Sequence, residues 1–119
     1  MNLPKVIRID EIYYTRDDAI PELCPTLPYV ICRTQNAGVF AGALLSKDGQ
    51  DVILLNARRL WYWKGAATLS QAAMEGFSLP NECKFPCEVA RIELLQVIEI
   101  LSCTKKAQLS IASVPIWAV

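Results

Sequence analysis

The chain has 119 residues, enough for one domain with a single core and too few for two. Hydrophobic residues make up 53% of it, a high share at this size, so surplus apolar surface is expected to meet a partner, most simply another copy in a homo-oligomer. Twelve basic residues balance twelve acidic ones, which argues against a nucleic-acid polymer as partner, because such binding draws on phosphate neutralisation; a small anionic ligand needs only a local cluster.

Residues 1–28 read as an N-terminal arm. Ile7, Ile9 and Ile12 alternate loosely with charge, as in an edge strand, and Pro21, Pro25 and Pro28 then forbid regular helix and make an extended connector. The isoleucines and tyrosines of this arm favour packing, on its own domain or across an oligomer interface, over free disorder. The first residues lack the apolar core of a signal peptide, and the longest apolar run, "AGVFAGALL" at 37–45, is too short to span a bilayer. The expectation is a soluble cytoplasmic protein with no membrane partner.

Residues 29–119 read as a single α+β domain: a curved antiparallel sheet of five to six strands, one capped helix at about 68–76 and a short C-terminal helix. "YVICRTQ" (29–35) is rich in β-branched and aromatic residues, and "GVFAGALLS" (38–46) follows, with Gly38 and Gly42 marking a bulge or a close approach. Asp48-Gly49 is a hairpin signal, because that turn needs positive φ. "DVILLNARRLWYW" (51–63) begins apolar on both faces, as a central strand covered on two sides does. Thr68 with Gln71 forms a capping box, Leu69, Ala72, Ala73 and Phe77 recur at helical spacing, and Gly76 supplies a C-cap. "CEVARIELLQVIEILSCT" (87–104) is one long strand with a break, or two strands joined near Leu95–Gln96. "TKKAQLSIAS" (104–113) gives a final helix capped by Thr104.

The chain contains no histidine, which removes the usual general base at neutral pH, every Ser-His or Cys-His nucleophile and the commonest metal ligand. Cys24, Cys32, Cys83, Cys87 and Cys103 are an odd number without zinc spacing, and read as reduced small hydrophobes. The paired carboxylates at 10–11 and 17–18, with Glu88, Glu93 and Glu99, read as solvated surface. No metal site and no cofactor is expected.

The densest chemistry lies in "NARRLWYWKGAATLSQ" (56–71). On an extended strand Arg59, Trp61 and Trp63 share one side, and Arg58, Leu60 and Tyr62 the other. The first set makes a cationic aromatic surface on which a base stacks and a guanidinium grips phosphate; equally, the tryptophans fill a core or an interface. Beyond Gly65 the helix start is an anion site in which Lys64, Thr68 and Ser70 add donors beside Gln71. Arg33 and Asn36 in "CRTQN" either line the same pocket or cap a sheet edge.

The segments "RTQNAGV…G" (33–42), "LLNARRLWYWKGAATLSQ" (54–71) and "VIEILSCT" (97–104) resemble a family of small uncharacterised phage and prophage proteins, over a stretch from about Tyr29 to the C-terminus. That resemblance implies a phage context, in which accessory proteins include sponges that sequester nucleotide immune signals. The expected function is therefore a non-catalytic sponge for a small anionic nucleotide. The alternatives are an interaction protein whose aromatic strand forms an oligomer or host-protein interface, and a hydrolase using carboxylates and Mg²⁺ or Mn²⁺.

Overall fold

The computed structural model describes residues 27–118, so the expected strand and connector of the N-terminal arm fall almost entirely outside the described residues. The protein is α+β. Five strands, β1 (Tyr29–Thr34), β2 (Val39–Asp48), β3 (Asp51–Arg59), β4 (Val89–Leu94) and β5 (Val97–Ser102), form one antiparallel sheet in the order β4-β3-β2-β1-β5. Two helices, α1 (Leu69–Glu75) and α2 (Lys105–Ser113), pack against each other, with α1 also meeting β1 and β5. No helix among the described residues is long and apolar enough to cross a membrane.

That strand order forces the sheet to coil. β4 and β5 occupy opposite edges, which in a flat five-stranded sheet lie roughly 19 Å apart at about 4.8 Å per strand. Only Leu95 and Gln96 connect them, a span of at most about 11 Å. The edges therefore curl towards each other at that corner. Gln96 turns the chain with φ of 59°, its carbonyl accepts from Gln35 N–H at 3.0 Å, and Val97 N–H donates to Gln50 at 3.0 Å.

Two irregularities in the β2–β3 pairing supply the bend. Ala41 pairs with Arg58 and Ala43 with Leu55, so β3 carries an extra residue at Asn56–Ala57, where Asn56 takes φ of 51°. A second shift lies between Leu44 and Ser46. The β2–β3 turn places Gly49, not Asp48, at positive φ (62°), with Asp48 pairing with Asp51 across it.

Both faces of the sheet are covered along its central strands, which explains their continuous apolar runs, while the edge strand β4 is largely exposed. Val30, Cys32, Phe40, Val52, Leu54, Ala57, Leu94 and Val97 fill the inside of the coil. Ile31, Ala41 and Leu60 lie on the other face beneath Ala72, Ala73, Phe77, Phe85 and Ile111 from the helices and the segment between. The bulge at Asn56 inverts the alternation along β3: Val52 and Leu54 point into the coil, then Ala57 does, and Arg58 turns to the helix face.

The helix ends follow their capping chemistry. Thr68 accepts from Gln71 N–H at 3.1 Å, while the Gln71 side-chain oxygen accepts from Ala67 N–H at 2.9 Å, and Gly76 closes the helix through its N–H to Ala72. In α2, Thr104 accepts from Ala107 N–H at 3.1 Å and donates its own hydroxyl to the Met74 carbonyl at 2.7 Å, tying the two helices together.

Candidate functional site

β3 ends at Arg59, four residues before the expected end of the aromatic strand. Leu60 still plugs the core and its N–H reaches Val39 at 2.9 Å; beyond it the chain leaves the sheet. The expected Arg59–Trp61–Trp63 face therefore does not form, because strand alternation holds only while the strand lasts. Arg58 and Leu60 do share the other face, as the alternation requires, and both are buried.

Arg58 is a structural cation. It donates to Pro86 (2.9 Å), Ile111 (2.8 Å) and Phe85 (3.2 Å) carbonyls, and its guanidinium lies 5.5 Å from the Phe85 ring. Ile111 belongs to the last turn of α2, so this charge satisfies a helix C-terminus. Burial lowers its pKa, and Glu88 and Tyr29 oppose that shift. Tyr29 is pushed the other way, its hydroxyl held protonated by burial first and by Cys103 and Glu88 after.

Arg59 stacks on Phe40 at 4.4 Å and donates to the Ala37 carbonyl at 2.7 Å, which fastens the β1–β2 loop to β3. That contact brings Arg59 beside the Arg33–Asn36 stretch. Arg33 itself pairs with Glu99 at 2.9 Å across β1 and β5, and Asn36 reaches Gln96 at 3.5 Å. Trp63 packs on Phe77 (6.2 Å between rings) at the rim of the helix-side core. Lys64 sits 3.6 Å from Glu82. Thr68 and Gln71 have their side-chain oxygens engaged in capping, and Ser70 is exposed on a helix of seven residues.

What the structure builds instead is an aromatic patch outside the sheet. Tyr62 and Lys84 exchange backbone hydrogen bonds (3.3 and 2.7 Å), Phe85 bridges to Ile116, and Trp117 N–H donates to Phe85 at 3.0 Å. These short pairings lay residues 60–63, 83–86 and 115–117 side by side. Trp61 and Trp117 meet with ring centroids 5.1 Å apart and planes tilted by 31°, yet they remain 59% and 42% exposed. The Lys84 ammonium stands 5.6 Å from the Tyr62 ring and 5.7 Å from the Trp117 ring. Among the described residues the side-chain ion pairs are Arg33–Glu99 and Lys64–Glu82, and among those residues Lys84 is placed against rings rather than a carboxylate. Ile116, 65% exposed, adjoins the patch.

Of the residues expected at a site, Trp61 alone lies in this patch; Trp117, Tyr62 and Lys84 complete it. The signal for Trp117 was the apolar "VPIW" tail after the last helix, and for Lys84 its place in "CKFP", but nothing in the sequence shows that these meet Trp61. A separate cleft of about 430 Å³ lies between α1 and α2, lined among others by Gln71, Glu75, Phe77, Lys106 and Ser110.

Fold and site together describe a small domain with a coiled five-stranded sheet, two packed helices and an aromatic surface carried by segments outside the sheet. Residues 27–111 match a family described as a domain of unknown function (DUF6948), and the chain belongs to that family. No curated protein and no solved structure matches the chain. The family match ends at Ile111, so Trp117 stands beyond the matched residues.

Proposed function

We propose that the protein is a phage-encoded, non-catalytic binding protein, a sponge that sequesters a small anionic nucleotide signal in the host cytoplasm and so counters host defence. The observation that carries this reading is the exposed Trp61–Trp117 pair with the Lys84 ammonium beside it. Indoles stack on any base, at roughly 1–3 kcal/mol per base, and an ammonium next to them favours an attached phosphate. Trp61 and Trp117 take the base in this proposal and Lys84 the phosphate, while Arg58 and Trp63 hold the scaffold.

Calorimetry against a panel of cyclic and ADP-ribose-derived nucleotides tests it. Micromolar or tighter binding that Trp61→Ala abolishes is the expected result, and absence of binding across the panel overturns the proposal. Incubation of the same samples with Mg²⁺ or Mn²⁺ and analysis for products separates binding from hydrolysis.

A second reading, an interaction protein docking through the same patch, draws on Ile116, since an aliphatic side chain this exposed, next to Trp117 in the chain, suits a protein surface better than a phosphate.

A further inference from the structure

The aromatic patch is an open surface, and that conflicts with sequestration. Sites that hold small molecules tightly bury most of the ligand, whereas a ring stacked on one exposed face leaves its other face in water. None of the patch residues lines the cleft between α1 and α2, so that cleft supplies no second wall. Trp61 and Trp117 do not clamp a base between them either: at 5.1 Å their ring centroids are too close to admit a third ring.

The size of the patch indicates where a second wall comes from. Aromatic side chains carry roughly 150–250 Å² each. With Trp61, Trp117, Tyr62 and Ile116 exposed to 59%, 42%, 41% and 65%, the patch amounts to roughly 400 Å² per chain. Paired with itself about a two-fold axis it covers roughly 800 Å², so the polar rim around it supplies the rest of the ~1,000 Å² that a specific interface must clear. Such an isologous contact is the commonest form of protein self-association.

We infer that the Trp61–Trp117 face is a self-association surface on which a second copy of the chain docks, so that the nucleotide site is completed between two copies. The nucleotide part of this inference rests on the proposed function; the docking does not. Two-fold pairing brings one Lys84 from each copy to the shared interface. Like charges in a partly desolvated interface repel, and an anion lodged between them relieves that repulsion. Ligand binding and pairing therefore strengthen each other, by the reciprocity of linked equilibria.

The test is sedimentation velocity on the full chain across the micromolar range, with and without the best nucleotide of the panel. The expected result is a dimer that Trp61→Ala and Trp117→Ala each weaken by about tenfold or more. Leu95→Ala, at an equally exposed apolar residue outside the patch, leaves the dimer intact. Because Trp117→Ala also loosens the C-terminal tail, Trp61→Ala decides if the two disagree. Nucleotide tightens the dimer at a stoichiometry of one per two chains, and Lys84→Ala removes that tightening. A chain monomeric at every concentration, a dimer indifferent to Trp61→Ala, or one nucleotide bound per monomer each overturns the inference. The last outcome leaves the proposed function standing, whereas a Trp61-dependent dimer that binds no nucleotide overturns the proposed function and leaves the docking standing.

Discussion

The Arg58 guanidinium, on β3, donates at 2.8 Å to the carbonyl of Ile111, 53 residues later and in the last turn of α2. One buried cation thus joins the sheet, the Phe85–Pro86 segment and the helix that covers them. Its charge is balanced by three carbonyl dipoles and the face of Phe85, and the guanidinium's fixed fork matches that arrangement as an ammonium does not.

Replacing Arg58 with methionine keeps the aliphatic stem and removes every donor. At about 1 kcal/mol or more for each acceptor left unsatisfied, Arg58→Met is expected to lose roughly 3 kcal/mol. That corresponds to a fall in melting temperature of roughly 10 °C or more, read by circular dichroism. Arg58→Lys recovers only part of the loss. Wild-type stability in Arg58→Met would contradict the structural role assigned here.

The tryptophans divide by role. Trp63→Ala opens a cavity beside Phe77 and is expected to cost roughly 2–4 kcal/mol. Trp61→Ala, at an exposed ring, is expected to cost less than about 1 kcal/mol. Denaturant titration of the two variants separates them, and equal losses would place Trp61 in the scaffold.

Gly65 and Gly49 both take positive φ, at 93° and 62°, in very different surroundings. A Cβ on Gly65 would meet the backbone nitrogens of Leu79 and Ser78 at 2.5 and 2.6 Å, and backbone cannot swing aside; a Cβ on Gly49 meets nothing within 4 Å. Gly49→Ala is expected to cost about 1–2 kcal/mol, the strain of the left-handed backbone alone. Gly65→Ala adds the collision and is expected to cost more than twice as much in the same urea titration.

Alkaline pH weakens the fold through the buried thiol of Cys32 and the half-buried thiol of Cys103. Burial raises the pKa of Cys32 and Cys103 from 9.0 to about 11, with the neighbouring Cys32 adding to the rise at Cys103. An acid held protonated in the folded state contributes its full stability below the unfolded pKa. That contribution is lost as pH rises through the folded one, so unfolding free energy is expected to decline between about 9 and about 11. Cys32→Val flattens the decline in pH-dependent urea titrations; an unchanged slope would remove Cys32 from the account. In the native state, thiol reagents are expected to modify exposed Cys87 well before buried Cys32.

Sequence alone determined most of the elements, because their causes are local. Thr68 and Thr104 announce helix starts, Asp48-Gly49 a hairpin, and the two-sided apolar run from Val52 to Leu55 a central strand, each through capping, turn or burial chemistry confined to a few neighbours. The break between β4 and β5 was also legible, though not that those two residues join opposite edges of the sheet. Arg58 and Leu60 fell on a common face as alternation requires.

Tertiary structure decided the site. The bulge at Asn56 set which face each arginine occupies, and the end of β3 at Arg59 released Trp61 and Tyr62 from strand geometry. Pairing among residues 60–63, 83–86 and 115–117 then carried Lys84 and Trp117 to Trp61 and Tyr62. Those contacts join residues far apart in the chain through backbone hydrogen bonds that carry no residue identity. Their formation depends on the core that Phe77, Phe85 and Ile111 build beneath them, and a pattern read along the chain holds no record of it.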